Sequence, residues 1–325
     1  MKRAATLAVA ALLVLAVIAG GLLVAARNGW LTPDEASLRA RYALPTSRFV
    51  TIDGQSIHYV DEGHGPPVML VHGSFASLRM WDVWADALKD RYRVVRFDRP
   101  SMGLDGADPQ GRSGAEREAD LIGRLATQRG LGRFVLVATS SGGEAAAAFA
   151  AAHPERVLGV ILANIAAGPL AFRPAHYPVS FRVALAIDPY LAGWHTTMFW
   201  RGVLSANYAD PAKVTPQLVR EWTDLNNRAQ FFPRQPRPVG YVPFARTPAD
   251  LAAIRAPALL LWSDSDPEVP LESDGRSALQ RLGSADKRLV VIPHCGHMMP
   301  LECGPQSVAV ARAFLDHVST QDTAR

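Results

Sequence analysis

The sequence predicts an α/β fold in which a mostly parallel sheet is flanked by helices and interrupted by a long insertion. Short apolar segments alternate with segments of helical periodicity over residues 48–168, and this alternation resumes over residues 249–320. Residues 169–248 interrupt the pattern and are rich in proline and aromatic side chains. The chain has 325 residues, of which 49% are hydrophobic, so it can build one large core from two sequence segments.

Residues 1–27 predict a single-pass membrane anchor. After Lys2 and Arg3, the 23 residues 4–26 carry no charged side chain. A helix needs roughly 20 apolar residues to cross the hydrocarbon core of a bilayer. A cleaved signal peptide is the alternative, because Val24-Ala25-Ala26 has the small residues of a cleavage site, although its apolar region is usually about 7–15 residues long. Lys2 and Arg3 favour a cytoplasmic N-terminus, with the folded domain on the extracytoplasmic side.

Charge and cysteine content narrow the function classes. The formal net charge is +4, and the arginines are dispersed along the chain, which argues against a nucleic-acid-binding surface. The only two cysteines are Cys295 and Cys303, too few for a zinc site without other ligands. An extracytoplasmic location would permit a disulfide between them, but two free thiols are the favoured interpretation. We expect neither a metal ion nor an organic cofactor.

The predicted elements follow one another along the chain. A linker over residues 28–47 leads from the apolar segment to two alternating strands, 49–52 and 56–60, which flank the hairpin-turn dipeptide Asp53-Gly54. The later strands are continuously apolar, as expected for a parallel sheet buried on both faces. These strands are 68–71, 93–97, 134–137, 157–162, 258–262 and 288–292, and the predicted helices are 77–88, 116–128, 143–152, 273–282 and 305–318.

A turn of small residues joins the strand at 134–137 to the following helix. Its sequence is Ala138-Thr139-Ser140-Ser141-Gly142-Gly143. This context is typical of a turn that holds a serine in strained backbone geometry, with its hydroxyl at the carboxyl edge of the sheet. The usual pattern is G-x-S-x-G, and here alanine takes the first position. We predict Ser140 as a nucleophile; Ser141 is the alternative, but the position of the two glycines favours Ser140.

Two backbone N–H groups are expected to face this serine as an oxyanion hole. The amide of Ser141 lies at a helix N-terminus, where the dipole favours developing negative charge. The strand at 68–71 ends in His72-Gly73-Ser74-Phe75, and Ser74 is the predicted second donor. Phe75 is predicted to bind substrate beside it. We interpret His72 as a structural histidine that holds the loop.

A carboxylate and a histidine follow the last two strands. Asp264 and Asp266 come directly after the strand at 258–262, and we favour Asp266 as the residue that orients the base. His294 and His297 follow the final strand, and the Gly-His pair favours His297 as the base. The order serine, aspartate, histidine along the chain is that of a known triad arrangement.

These motifs resemble those of the α/β-hydrolase superfamily, in its cap-bearing branch of esterases, C–C bond hydrolases, haloalkane dehalogenases and epoxide hydrolases. The resemblance covers about residues 48–168 and 249–318. Glycine is usual in the family where this chain has Ser101, Ala138 and Ser263. The matching stretches are 50–54, 70–74, 96–100, 136–143, 153–157, 261–270 and 293–301.

The resemblance implies the α/β-hydrolase fold, with residues 169–248 as a helical cap. Dehalogenases and epoxide hydrolases of this branch use an aspartate nucleophile, so Ser140 implies acyl transfer instead. We therefore expect a membrane-held serine hydrolase that acts on carboxylic esters of apolar small molecules. A C–C bond hydrolase that uses the same triad on a diketone is one alternative. A catalytically inactive, membrane-tethered binding protein is the other.

Overall fold

A single sheet lies at the centre of the computed structural model, which describes residues 2–170, 177–191, 193–228 and 242–323. Within these residues the sheet has eight strands in the order β1-β2-β4-β3-β5-β6-β7-β8. The strands are β1 (Arg48–Ile52), β2 (Gln55–Glu62), β3 (Pro67–Val71), β4 (Arg93–Phe97), β5 (Phe134–Thr139), β6 (Val157–Ala163), β7 (Ala258–Ser263) and β8 (Lys287–Ile292). This is the α/β-hydrolase fold that the sequence predicts.

One strand of this sheet, β2, runs opposite to the other seven. β1 pairs antiparallel with β2, and β2 pairs antiparallel with β4, whereas β3 to β8 run parallel to one another. Asp53 and Gly54 join β1 to β2 and both have positive φ, 52° and 81°, as a two-residue hairpin turn requires. The predicted hairpin is therefore present, and the carboxyl ends of β3 to β8 meet at one edge of the sheet.

The helices cover both faces of this sheet. The hydrophobic residues of β5 alternate between two core clusters: Leu136 lies in the cluster with α4, α5, α9 and α10, and Val137 lies in the cluster with α3 and α12. The helices are α1 (Lys2–Arg27), α2 (Glu35–Tyr42), α3 (Asp82–Leu88), α4 (Ala115–Gln128), α5 (Gly142–Ala152), α6 (Val179–Ile187), α7 (Thr197–Asn207), α8 (Pro216–Asn226), α9 (Thr247–Ala253), α10 (Arg276–Arg281), α11 (Met299–Glu302) and α12 (Gly304–Thr323).

Two predicted helices begin with other helical geometry. The segment predicted as a helix over 77–88 starts with a 3-10 turn, Leu78–Trp81, before α3. The segment predicted over 273–282 starts with a π turn, Leu271–Gly275, before α10. Both segments keep helical periodicity, so the sequence pattern alone does not distinguish a 3-10 or π turn from an α-helix.

The segment predicted as a linker, 28–47, contains α2. Asp34 caps this helix by accepting a hydrogen bond of 2.9 Å from the backbone N–H of Ser37. Leu38 and Tyr42 are buried, and the Tyr42 hydroxyl donates to Asp224 of α8 at 2.6 Å. The connection between α1 and the sheet is therefore packed against the insertion, which the mixed composition of the segment did not indicate.

Helices α6, α7 and α8 belong to the insertion between β6 and α9. Trp200 and Trp222 of the insertion form a core cluster with Ala76, Met80 and Met298, which lie in the connections that follow β3 and β8 at the carboxyl edge of the sheet. The insertion therefore packs over this edge. Parts of the predicted cap, residues 171–176, 192 and 229–241, lie outside the described residues.

The turn between β5 and α5 requires glycine because the backbone approaches the loop after β3 very closely. A Cβ atom at Gly142 would lie 2.4 Å from the carbonyl oxygen of His72. At Gly143 a Cβ atom would lie 2.2 Å from Cγ2 of Ile165. Both distances are below any stable contact, so the glycines allow the strand, the helix and the neighbouring loop to meet.

We predict that Gly142→Ala destabilises the fold by about 1–3 kcal/mol, since overpacking against backbone cannot be relieved by a side-chain rotation. Gly132→Ala is the matched control, because a Cβ atom there meets nothing within 4 Å. Thermal unfolding followed by circular dichroism in detergent checks both variants. Equal melting temperatures for the two variants would contradict the close approach.

Candidate active site

Ser140 has the backbone strain that a nucleophile turn requires. It lies between β5 and α5 with φ of 52°, a left-handed conformation that is unfavourable for residues other than glycine. Its N–H donates to the carbonyl of Ala163 at 3.0 Å, and its carbonyl accepts from the N–H of Gly143 at 3.0 Å. These bonds fix the turn to β6 and to the start of α5, and leave the hydroxyl free to face the sheet edge.

The structure brings the three predicted triad residues together. Nε2 of His297 lies 2.9 Å from Oγ of Ser140, and Nδ1 lies 2.7 Å from Oδ2 of Asp266. Because a carboxylate only accepts, Nδ1–H donates to Asp266, and in the neutral imidazole Nε2 accepts from the Ser140 hydroxyl. The side chains of His297 and Asp266 are 3% and 0% exposed, so the hydrogen bond between them is shielded from water.

Asp266 and Asp264, the two carboxylates that follow β7, have different hydrogen-bond partners. Oδ1 of Asp266 accepts from the backbone N–H groups of Glu268 and Val269, at 2.8 and 2.9 Å. Asp264 instead accepts from the backbone N–H groups of His294 and Cys295, at 3.0 and 3.3 Å. Asp264 therefore shapes the loop that carries His297, and His294 contributes only its backbone to this contact.

Two buried residues that the sequence analysis did not identify hold the His297 loop. Asn164, at the end of β6, donates from Nδ2 to the carbonyl of His297 at 3.1 Å and to that of Gly296 at 3.3 Å. Glu302 of α11 accepts from the N–H of Gly296 at 2.7 Å. These bonds fix the loop backbone, and so the imidazole keeps its direction toward the serine.

Cys295 and Cys303 form a disulfide, so the favoured expectation of two free thiols is wrong. The chain folds back through α11 and brings the two Cα atoms to 6.2 Å, within the range that a disulfide spans. The bond closes the loop that contains His297. Cys295, Glu302 and Cys303 are the one group of described residues whose ligand atoms lie close enough to share a metal ion. The disulfide occupies the sulfur atoms of both cysteines in this group.

A second carboxylate lies beside the imidazole. Oε2 of Glu268 is 3.3 Å from Nε2 of His297, and its side chain is 45% exposed. Burial lowers the pKa of His297, but the negative charges of Asp266 and Glu268 and the hydrogen bond to Asp266 outweigh burial and raise the pKa to about 9. Glu268 was not singled out from the sequence, although it follows Asp266 by two residues.

The two predicted oxyanion donors are linked through their side chains. Oγ of Ser74 lies 2.7 Å from Oγ of Ser141, and Nη1 of Arg99 donates to Oγ of Ser141 at 2.7 Å. Ser141 is therefore not bonded to His297 within the described chain. Contacts between described residues leave the backbone N–H groups of Ser74 and Ser141 without an acceptor. Their role in binding an oxyanion stays a prediction.

His72 is a fully buried residue that connects two loops. Its Nδ1–H donates to the carbonyl of Gly73 at 2.7 Å, and its Nε2 accepts from the N–H of Arg99 at 2.9 Å. Burial lowers the pKa of His72 to about 4, so the ring is neutral at pH 7. Because both ring nitrogens bond to backbone, His72 has the geometry of a structural residue.

A cavity of about 750 Å³ opens above Ser140 and His297. The predicted substrate residue Phe75 lines it, is 47% exposed and has φ of 62°. The insertion contributes apolar side chains, including Trp222. The charged side chains among the described lining residues are Arg99, Glu118, Glu144 and Glu268. Arg99 donates from Nε to Glu118 at 2.6 Å, so its charge is already paired.

Comparisons with known proteins support the α/β-hydrolase fold. A sequence model described as "Alpha/beta hydrolase family" matches residues 68–313. A 2-hydroxy-6-oxononadienedioate/2-hydroxy-6-oxononatrienedioate hydrolase from Burkholderia vietnamiensis (strain G4 / LMG 22486) is 28% identical over 274 residues, which are 78% of this chain and 89% of that protein. Haloalkane dehalogenase 2 from Mycobacterium tuberculosis (strain ATCC 25618 / H37Rv) is 34% identical over 118 residues, which are 36% of this chain and 41% of that protein.

One solved structure is similar over almost the whole chain. It is the crystal structure of a membrane phospholipase A, described as a novel bacterial virulence factor. The identity is 27% and the TM-score is 0.67, and the match covers 98% of this chain and 99% of that one. The likeness therefore includes most of α1 as well as the sheet and the insertion.

We predict that a fluorophosphonate probe labels Ser140 faster as the pH rises toward 9, because only neutral His297 can accept the serine proton and its pKa is raised to about 9. Glu268→Gln removes one negative charge and lowers the pKa of His297. The midpoint of the profile of labelling rate against pH therefore moves to lower pH. Glu272→Gln in the same segment is the control and leaves the midpoint unchanged. A Glu268→Gln profile that coincides with the wild-type profile would contradict the coupling.

Proposed function

This chain belongs to the alpha/beta hydrolase family and is a hydrolase, and from that premise we propose that it cleaves carboxylic esters of apolar molecules through an acyl-enzyme intermediate. Ser140 is the nucleophile, His297 the base and Asp266 the residue that orients the base. The observation that carries this proposal is the continuous chain of hydrogen bonds from Asp266 through His297 to Oγ of Ser140, at 2.7 and 2.9 Å.

The geometry supports two successive acyl transfers. Nε2 of His297 takes the proton of Ser140 as Oγ bonds to the ester carbonyl carbon. The N–H groups of Ser74 and Ser141 stabilise the oxyanion, and one such donor contributes about 3–4 kcal/mol to transition-state stabilisation. Collapse of the tetrahedral intermediate breaks the bond to the alcohol oxygen, which receives the proton from His297. Water then attacks the acyl group with His297 again as base, which releases the acid and restores Ser140.

A C–C bond hydrolase is the second candidate, because the relative from Burkholderia vietnamiensis is named for such a substrate and the same three residues could serve it. The substrate in that name is a dioate, which carries two carboxylates. The cavity of this chain presents Glu118, Glu144 and Glu268, and Arg99 is the only lysine or arginine among its described lining residues and is paired with Glu118. Because Glu118 and Arg99 neutralise each other, Glu144 and Glu268 are the carboxylates that repel a dianion, and the cavity therefore favours an ester without carboxylate groups.

Residues 1–27 act, in this proposal, as an uncleaved single-pass anchor. In the described part of the chain, Val9–Arg27 is the one helical segment long and apolar enough to span a membrane. The similarity to a membrane phospholipase A extends through this helix, which supports an anchored enzyme and membrane-partitioned acyl esters as substrates. Residues 48–168 and 249–320 would form the catalytic domain, joined to the anchor by 28–47 and covered by the cap, 169–248.

We propose that the catalytic domain lies on the extracytoplasmic side. Lys2 and Arg3 precede the apolar segment, and basic residues favour the cytoplasmic side of a membrane. The disulfide between Cys295 and Cys303 supports the same orientation, since structural disulfides persist in oxidising compartments.

Ser140→Ala is predicted to lower kcat/KM for p-nitrophenyl esters by at least about 10⁴-fold, because no other group can form the acyl-enzyme. Ser273→Ala, at an exposed serine on the surface, serves as the control with unchanged kinetics. Retained ester turnover in Ser140→Ala would overturn the nucleophile assignment.

Wild-type enzyme is predicted to hydrolyse a neutral ester with a higher kcat/KM than a dioate ring-cleavage product, because the cavity carboxylates repel the dianion. Parallel assays on the two substrates measure this ratio. The opposite ranking would favour the C–C bond hydrolase. Absence of both activities, together with no fluorophosphonate labelling, would favour an inactive binding protein.

The full chain is predicted to stay in the membrane pellet after an alkaline carbonate wash and to keep residues 4–26 in its intact mass. Both results follow if the apolar helix spans the bilayer and is not removed. Release by carbonate, or a mass that lacks the N-terminal segment, would instead indicate a cleaved signal peptide.

A further inference from the structure

We propose that the apolar outer surface of α6 and the following 3-10 turn, Asp188–Leu191, docks into the lipid interface beside α1. This surface, here called the cap face, consists of the exposed side chains of Val179, Val183, Leu185, Ile187 and Tyr190. The proposal rests on the proposed membrane anchor, and it assigns a second membrane contact to the folded domain itself.

Helix α6 exposes most of its apolar residues. Among its nine residues only Phe181 and Ala184 are buried, whereas Val179 is 73% exposed and Val183 is 48% exposed. Tyr190 in the next turn is 65% exposed. Exposed apolar side chains in this number cost free energy in water and are typical of an interaction site.

Packing against α7 fixes the direction of this helix. The ring of Phe181 fits over Gly202, where an added Cβ atom would lie 2.1 Å from Cδ2 of Phe181. The same ring lies 5.8 Å from the ring of Phe199. Because Phe181 fastens one side of α6 to α7, the remaining apolar side chains are held outward, away from the protein.

The membrane anchor lies directly beside the cap face. The 3-10 turn Asp188–Leu191 contacts α1. Within the described residues of α1, Ala26 is 1% exposed, whereas Val17 and Leu22 are 75% and 54% exposed. The contact therefore lies near the C-terminal end of α1, where a bilayer spanned by this helix ends. A membrane around α1 would meet the cap face at that level.

The charges around this surface suit a lipid interface. α6 contains no acidic residue, and its one charged side chain, Arg182, is exposed. Arg27 ends α1, and Trp30, just beyond it, is 73% exposed. The carboxylate of Asp188 is bonded to His195. Apolar side chains flanked by arginine and tryptophan are typical of segments that lie at the headgroup level, with the cations directed to lipid phosphates.

Fluorescence of single-cysteine variants tests this contact. The native cysteines are joined in a disulfide, so one introduced cysteine is the only free thiol. The full chain carries an environment-sensitive NBD label at Val183→Cys, at Val14→Cys in α1, or at Asp86→Cys, whose side chain is 72% exposed on α3. Each protein is reconstituted into vesicles of phosphatidylcholine and phosphatidylglycerol, with and without nitroxide-labelled lipid.

We expect nitroxide lipid to quench the labels at positions 14 and 183 and to leave the label at position 86 unaffected. Quenching at 14 without quenching at 183 would overturn the cap-face proposal and leave the anchor intact. Absence of quenching at both would overturn the anchor and the cap-face proposal together. A label at 183 that is blue-shifted but not quenched, with cross-linking between copies through Val183→Cys, would overturn the lipid contact in favour of a second copy of this chain.

The rate of ester hydrolysis at a vesicle surface provides a second test. Val183→Asp is expected to lower hydrolysis of an ester embedded in vesicles by about tenfold, while turnover of a water-soluble ester stays unchanged. Val83→Asp, at an exposed valine of α3, is the matched control and changes neither rate. Equal rates for Val183→Asp and wild type on the vesicle-embedded ester would contradict docking, and intact soluble-ester turnover shows in either case that the protein is folded.

Discussion

The hydrogen bond between Ser140 and His297 is the interaction on which the proposed chemistry depends. It joins residues that lie 157 positions apart in the sequence, and it exists only because two loops at one edge of the sheet are held in register. On the serine side, Gly142 allows α5 to approach the carbonyl of His72, and the turn keeps Ser140 at a φ of 52°. The parallel strands β3 to β8 bring both loops to the same edge.

The histidine side is held by buried polar groups that serve no chemical step. Asn164 binds two carbonyls of the His297 loop, and Glu302 binds the amide of Gly296. The disulfide between Cys295 and Cys303 closes the same loop. These buried hydrogen bonds fix the orientation of the His297 ring, so that Asp266 and Ser140 meet its two nitrogens from opposite sides. The carboxylates of Asp266 and Glu268 together then raise the pKa of the positioned imidazole.

The sequence predicted the sheet and the location of the triad because both depend on local patterns. The apolar strand before Ser140, the small residues around it and the Gly-His pair at 296–297 are each visible within ten residues. The roles of Asn164 and Glu302 are not visible, since they arise from contacts that only the folded chain makes. The disulfide is not visible either, because its formation depends on the fold-back through α11. The sequence pattern does not reveal α2, because its buried face consists of only Leu38 and Tyr42.

Trapping of the acyl-enzyme tests whether Ser140 is the nucleophile. Brief reaction with a slowly hydrolysed ester, an acid quench and tandem mass spectrometry of the peptides would locate the acyl group. We expect one acyl group per chain, on Oγ of Ser140, captured because water attacks the acyl group of this ester slowly. An acyl group on Ser141, or turnover of the ester with no covalent intermediate at Ser140, would contradict this assignment.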